Sequence, residues 1–247
     1  MTSDELLARM LTQLADKFKN ELILKGGVLL RLLNSPRSTQ DLDYAWIRTK
    51  KRNLFGRDVK KALEEIEGIE VTDLESNSRG VFIEVRDRAS GQKAKVEINV
   101  VSSTHLPPKP LSTAPLTRPY SLKTQIIAAM DPAEAFSNKI AATMERNLVR
   151  DLYDLAQMEP LTAFDKETLA DRLSRLQINR AKPRKVTLEE AVDLLRGKLS
   201  GLTQKRIEAE LAGAIPDEFF PGLELLIKAS VSRIIQRLEI SASTYTW

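Results

Sequence analysis

Leu6, Leu7, Met10, Leu11, Leu14 and Phe18 recur at helical spacing, and Thr2 with Glu5 reads as a capping box ahead of them. A first helix is therefore expected to run to about Lys19. Leu22-Ile23-Leu24 is a short apolar run ended by Gly26-Gly27, the pattern of a buried strand and a turn. Val28 to Leu33 reads as a helix broken at Asn34-Ser35-Pro36, and Asp41 to Ile47 as a strand. A charged helical stretch from about Arg57 to Glu67 stops at Gly68. Three β-like runs follow, Ile69 to Leu74, Val81 to Val85 and Ala94 to Val101, with Ser90-Gly91 turning the last two into an antiparallel pair.

From His105 to Pro119 the pattern changes. Pro107, Pro108, Pro110, Pro115 and Pro119 favour extended backbone, so a linker or wrapping arm is expected. Beyond it the chain reads as almost wholly helical. Pro132 after Asp131 marks a helix start, and further helices are expected at Leu148 to Met158, Lys166 to Leu176, Leu188 to Leu199, Gln204 to Ala212 and Leu223 to Ile240. Arg180 to Lys185 forms a basic hinge between two of them. The expected fold class is α+β, with an α/β head over residues 1–118, including the Pro-rich arm, and an all-α domain over 119–247.

Composition removes several chemistries. The 247 residues include no cysteine and one histidine, His105, which lies beside Pro107-Pro108. Zinc and iron–sulfur sites, disulfides and Cys–His nucleophiles are thereby excluded. No apolar run reaches the ~18 residues of a membrane span. The acidic, amphipathic N-terminus is unlike a secretory signal, so the expected location is the cytoplasm. Lys and Arg number 38 against 34 Asp and Glu, a net charge of +4. That mild excess is compatible with a nucleic-acid partner without requiring one.

Asp41 and Asp43, two apart on a strand, share a face, while Leu42 and Tyr44 point the other way. Two such carboxylates repel unless solvent or a cation lies between them, and Mg²⁺ takes a few carboxylate oxygens together with substrate phosphates. Two solvated aspartates on a strand edge would give the same pattern. Gly26-Gly27 is either a plain tight turn or a place where phosphates approach free backbone N–H groups. Glu97 faces away from the core side of Val96 and Ile98, as either a solvated side chain or a third acidic ligand. Lys139, Thr143, Arg146, Arg150 and Asp154 would line one face of an unbroken helix, as a triphosphate-binding stripe or a salt-bridged surface. Lys50-Lys51-Arg52 and the hinge ending at Arg184 and Lys185 are solvated charge clusters or phosphate contacts for a long RNA.

Gly-Gly, a helix, Asp-x-Asp and a later acidic strand together resemble the DNA polymerase β-like nucleotidyltransferase superfamily. More closely, Leu24-Lys25-Gly26-Gly27 with Arg37-Ser38-Thr39-Gln40-Asp41-Leu42-Asp43 resembles the AbiEii/AbiGii-type toxin nucleotidyltransferases of bacterial toxin–antitoxin systems. The block Ala135 to Ala142 followed by Arg146 and Arg150-Asp151-Leu152-Tyr153-Asp154-Leu155 is similar to that subgroup's lysine and R-D-x-x-D-L run. Asn138 stands where Glu or Asp often precedes the lysine.

The resemblance implies a polymerase β-like domain, a mixed sheet with flanking helices, whose active-site cleft a helical domain completes. It implies a two-metal Mg²⁺ site on Asp41, Asp43 and Glu97, and an NTP whose phosphates meet Lys25, Gly26, Gly27, Arg37, Ser38 and Lys139. Asp151 corresponds to a required acidic residue, and Arg146, Arg150, Arg184 and Lys185 are candidate RNA contacts. The implied activity is NMP transfer from an NTP to RNA, foremost the 3′ end of tRNA, by a toxin that blocks translation and growth and is held in check by a cognate antitoxin. Thr39, two residues before Asp41, is a candidate regulatory phosphorylation site. Transfer to a small molecule or protein, and a catalytically idle nucleotide- or RNA-binding module, are the rival readings.

Overall fold

The structure, a computed structural model, describes residues 1–243, which form two compact units divided at Asp131 and Pro132. Elements of the first unit run in the order α1 (Ser3–Phe18), β1 (Leu22–Lys25), α2 (Gly26–Leu32), β2 (Asp41–Ile47), α3 (Arg52–Glu64), β3 (Ile69–Ser76), β4 (Gly80–Asp87), β5 (Lys93–Val101), β6 (Lys109–Ser112), α4 (Ala114–Thr117) and β7 (Ile126–Ala129). The strands make one mixed sheet in the order β3-β4-β5-β2-β1-β7-β6. β2 runs parallel to β5 and β1 parallel to β7, while the other neighbours are antiparallel.

Alternation decides what each face of this sheet does. Leu42, Tyr44 and Trp46 of β2, Val96 and Ile98 of β5, and Val81 and Ile83 of β4 are buried. They face α1 and α3: Trp46 stacks on Phe55 with ring centroids 4.0 Å apart, and Phe18 meets Phe55 edge-on at 5.4 Å. Val81 and Leu74 lie against Gly56 of α3. The intervening residues Asp41, Asp43, Glu97 and Phe82 therefore point to the other face, where they are half-buried. Thr2 caps α1 by accepting from the Glu5 amide at 3.1 Å.

Three expectations are corrected here. α3 begins at Arg52, not Arg57, because Phe55 is drawn into the core against Trp46. The Pro-rich stretch is not a free arm: Lys109–Ser112 pairs with β7 as an edge strand, where proline costs no ladder bond. β7 itself falls where helix was expected. A four-residue apolar run is ambiguous on its own, and β1 settles it, since Leu24 pairs with Ala129 and accepts from the Met130 amide at 2.8 Å.

The second unit is built from α5 (Pro132–Glu145), α6 (Val149–Met158), α7 (Lys166–Ser174), α8 (Leu188–Ser200), α9 (Gln204–Leu211) and α10 (Leu223–Ser243). α10 packs on α6 and α8, and α5 on α6 and α7. Side chains cap the starts of three of these helices. Asp165 caps α7, Thr187 and Glu190 form a capping box on α8, and Thr203 caps α9. Glu159, buried after α6, accepts from Arg233 and Arg237 of α10 at 2.6 and 2.7 Å. Among the described residues no helix is long and apolar enough to cross a membrane.

Candidate active site

In the α/β unit the strand register assembles a cross-sheet row. Lys25 of β1 pairs with Asp43 of β2, Asp43 with Glu97 of β5, and Glu97 with Phe82 of β4. Paired residues in neighbouring strands carry their side chains on the same face, so one ammonium and two carboxylates stand side by side. Asp41 lies one pleat along the same face of β2, opposite Lys95. Burial pushes the Glu97 carboxyl above the ordinary glutamate value, and the charges of Asp43 and Asp41 push it further, against Lys25 and Lys95. The three carboxylates thus feel one another.

The glycine pair sits against this row. α2 starts at Gly26 with φ +71°, and a Cβ there would lie 2.0 Å from Asp43 Oδ2. Only glycine combines that backbone with that approach. A Cβ at Gly27 would come within 2.8 Å of Thr39 Oγ1 and 3.4 Å of an Arg37 guanidinium nitrogen. Thr39 Oγ1 accepts from the Asp41 amide at 3.4 Å, and Arg37 donates to the Ser38 carbonyl at 3.1 Å. Lys25, Gly26, Gly27, Arg37, Ser38, Thr39, Asp41, Asp43 and Glu97 are therefore gathered at one edge of the sheet's polar face. The N-terminal turn of α2 holds no acidic residue, and its N-cap residue Lys25 makes no side-chain capping bond.

Among the described residues no three acidic or histidine side chains converge as a ready-made cation cage. The donor set nonetheless fits Mg²⁺. It consists of carboxylate oxygens alone, they repel each other as they stand, and the glycine beside Asp43 lets that carboxylate lie directly against the turn.

The helical unit holds the second group of expected residues. The chain breaks between α5 and α6, so Lys139 to Asp154 is not one helical face; the two helices fold back on each other instead. Lys139 Nζ donates to Asp154 Oδ2 at 2.7 Å and Asp151 Oδ1 at 3.4 Å. Arg146 grips Asp151 through two bonds of 2.6 and 2.9 Å. Both aspartates are fully buried, whereas Arg150 is exposed. Thr143 turns inward and donates to the Lys139 carbonyl at 2.8 Å. Asp154 is the partner missed as a site residue; its signal was the three-residue spacing from Asp151, which puts both carboxylates on one side of α6. Arg184 and Lys185 are exposed and lie within the same unit.

Residues 8–228 match the family described as nucleotidyl transferase AbiEii toxin, type IV toxin–antitoxin system. Comparison with curated proteins gives no match. Among solved structures, the chain is similar to MenT4, a nucleotidyltransferase toxin of Mycobacterium tuberculosis, at 19% identity and a TM-score of 0.56, covering 96% of this chain and 86% of that one. It is also similar to JHP933 of Helicobacter pylori, at 19% identity and a TM-score of 0.51, covering 97% and 93%. At such identities the structures speak for the fold, and the family match speaks for the activity: this chain belongs to the AbiEii nucleotidyltransferase toxins of type IV toxin–antitoxin systems.

Proposed function

We propose that this nucleotidyltransferase moves NMP from an NTP to the 3′ end of an RNA acceptor, with tRNA as the acceptor, and so blocks translation and growth. The observation that carries the reading is the row Lys25–Asp43–Glu97 beside the side-chain-free turn Gly26-Gly27. Asp41, Asp43 and Glu97 would hold two Mg²⁺ ions, which would neutralise charge on the α-phosphate and lower the pKa of the attacking hydroxyl. The α2 amides, Ser38, Lys25 and Arg37 bind phosphate oxygens. The acceptor's hydroxyl oxygen bonds to the α-phosphorus as pyrophosphate leaves.

In this reading the helical unit serves the same reaction. Lys139 uses two of its three donors on Asp151 and Asp154, leaving one for the β- or γ-phosphate. Asp151 is then a positioning residue that holds Lys139 and Arg146. Arg146, Arg150, Arg184 and Lys185 contact acceptor RNA. The cognate antitoxin that the family implies acts in the cytoplasm, and phosphorylation of Thr39 would close the phosphate site by adding about −1.5 to −2 charge next to Gly27.

The test is label transfer from each α-labelled NTP to total tRNA, with Mg²⁺ and with EDTA. Label at the tRNA 3′ end, lost in EDTA, is the expected result. Label appearing only on a small molecule or protein would replace the acceptor, and NTP binding without transfer to anything would overturn the RNA reading.

A further inference from the structure

Within the helical unit, α5, the turn after α7, α8 and α9 border a cavity of about 610 Å³. That volume is in the range of small-ligand sites. Its walls divide by chemistry. Met144, Ile178 and Leu194 supply apolar surface, while Arg184, Lys198 and Arg206 bring three cations to the same space. Glu190 and Asp193 also border it, but both are engaged locally. Glu190 accepts from the Thr187 amide at 3.1 Å in the capping box and lies 3.9 Å from Arg184, Asp193 lies 3.6 Å from Arg196, and Arg206 is held by Glu210 at 2.7 Å.

Lys198 is the unsatisfied member. Its ammonium donates to the Arg146 carbonyl at 2.8 Å, and among the described residues no carboxylate lies within ion-pair distance of it. Burial pushes it below the ordinary lysine value; the charge of Asp151 opposes this, and that of Arg206 adds to it. A bound anion would relieve this arrangement. The α8 wall is also left bare: a Cβ on Gly197 would meet nothing within 4 Å, and Gly201 follows one turn later. Asn179, which also lines the cavity, and the following Arg180 both hold positive φ, 51° and 62°. Such consecutive strain in non-glycine residues is concentrated at ligand clamps.

We propose that this cavity is a nucleotide-binding site separate from the Asp41–Asp43 row, taking a phosphate between Lys198, Arg184 and Arg206 and a base against Met144, Ile178 and Leu194. A free nucleotide and the terminal residue of an RNA share this chemistry. The site touches the Asp151 network directly, because Arg146 offers its carbonyl to Lys198 and its guanidinium to Asp151. It does not depend on the acceptor assigned above.

The test is calorimetric titration of the full-length protein, in EDTA, with adenosine 5′-monophosphate, with adenosine and with a 5′-phosphorylated RNA tetramer. Lys198→Gln should weaken binding of the phosphate-bearing probes roughly tenfold, the scale of one charge-assisted hydrogen bond. Gly197→Leu should weaken it as much by filling the wall, while its Tm stays at or above wild type because leucine is the better helix former. Asp43→Asn should leave this binding in place. Saturation by the monophosphate identifies a free nucleotide as occupant, and saturation by the tetramer alone identifies an RNA end. Binding unchanged in both cavity variants, adenosine binding as tightly as its monophosphate, or no saturation by either phosphate-bearing probe at millimolar concentration would overturn the proposal.

Discussion

Asp43 and Glu97 stand half-open to solvent on neighbouring strands and repel each other, whereas Asp151 and Asp154 are fully buried on one helix with Lys139 and Arg146 bound to them. Against that repulsion the Glu97 carboxylate has the charges of Lys25 and Lys95. The second pair is neutralised within the fold. An acidic group that the fold leaves unrelieved is a place for a cation to come and go, while one the fold has neutralised is part of the framework. The same residue types therefore call for opposite behaviour under substitution.

Removing a carboxylate should separate the two regions most sharply. Asp41→Asn or Asp43→Asn is expected to lower transfer at least about a hundredfold, with Tm unchanged or slightly raised because a repelling partner is lost. Equal losses of activity and of Tm would make this site structural like the other.

The converse holds in the helical unit. Lys139→Ala leaves Asp154 buried without its 2.7 Å partner and should cost about 3 kcal/mol of unfolding free energy in a denaturant titration. The double variant Lys139→Met/Asp154→Asn removes both charges and should recover much of that stability. Activity still absent in the refolded double variant assigns Lys139 to the triphosphate; activity restored with stability would make the lysine purely structural.

Gly26→Ala tests how closely the turn and the row are coupled. The new Cβ would meet Asp43 Oδ2 at 2.0 Å on a backbone of φ +71°, so a loss of about 1–3 kcal/mol is expected together with reduced activity. A stable, active variant would show that Asp43 can leave the glycine without consequence.

Thr39→Glu should raise the KM for NTP roughly tenfold relative to Thr39→Ala, since it places a charge beside Gly27 and Asp41. Equal KM values would put Thr39 outside the phosphate site. The smallest effect concerns pH. The Glu97 carboxyl is raised in the folded state, so its stabilising contribution is full below the unfolded value of 4.5 and is lost as pH climbs through the raised folded value. Without metal, Glu97→Gln should therefore gain on wild type in Tm as pH rises above the ordinary glutamate value. Mg²⁺ should narrow the difference by stabilising only the wild type. A pH-independent difference would mean that Glu97 does not share its field with Asp41 and Asp43.

Local chemistry was enough for much of this molecule. The helical periodicity from Leu6 to Phe18, the alternation of Asp41 to Trp46, and the helix starts at Pro132 and Leu188 all act over a few residues, and they are read correctly from those residues. The Gly-Gly and Asp-x-Asp signature is equally local, because a strand places side chains two apart on one face whatever surrounds it. Tertiary structure alone decided what depends on distant partners. β7 is a strand because β1 offers it a ladder from a hundred residues away, and α3 starts early because Phe55 finds Trp46. Asp43 meets Glu97, and Lys139 meets Asp154, by strand register and by the break between α5 and α6. Whether a carboxylate is left exposed to a like charge or buried against an ammonium is fixed by such long-range packing, and no window of sequence contains both partners.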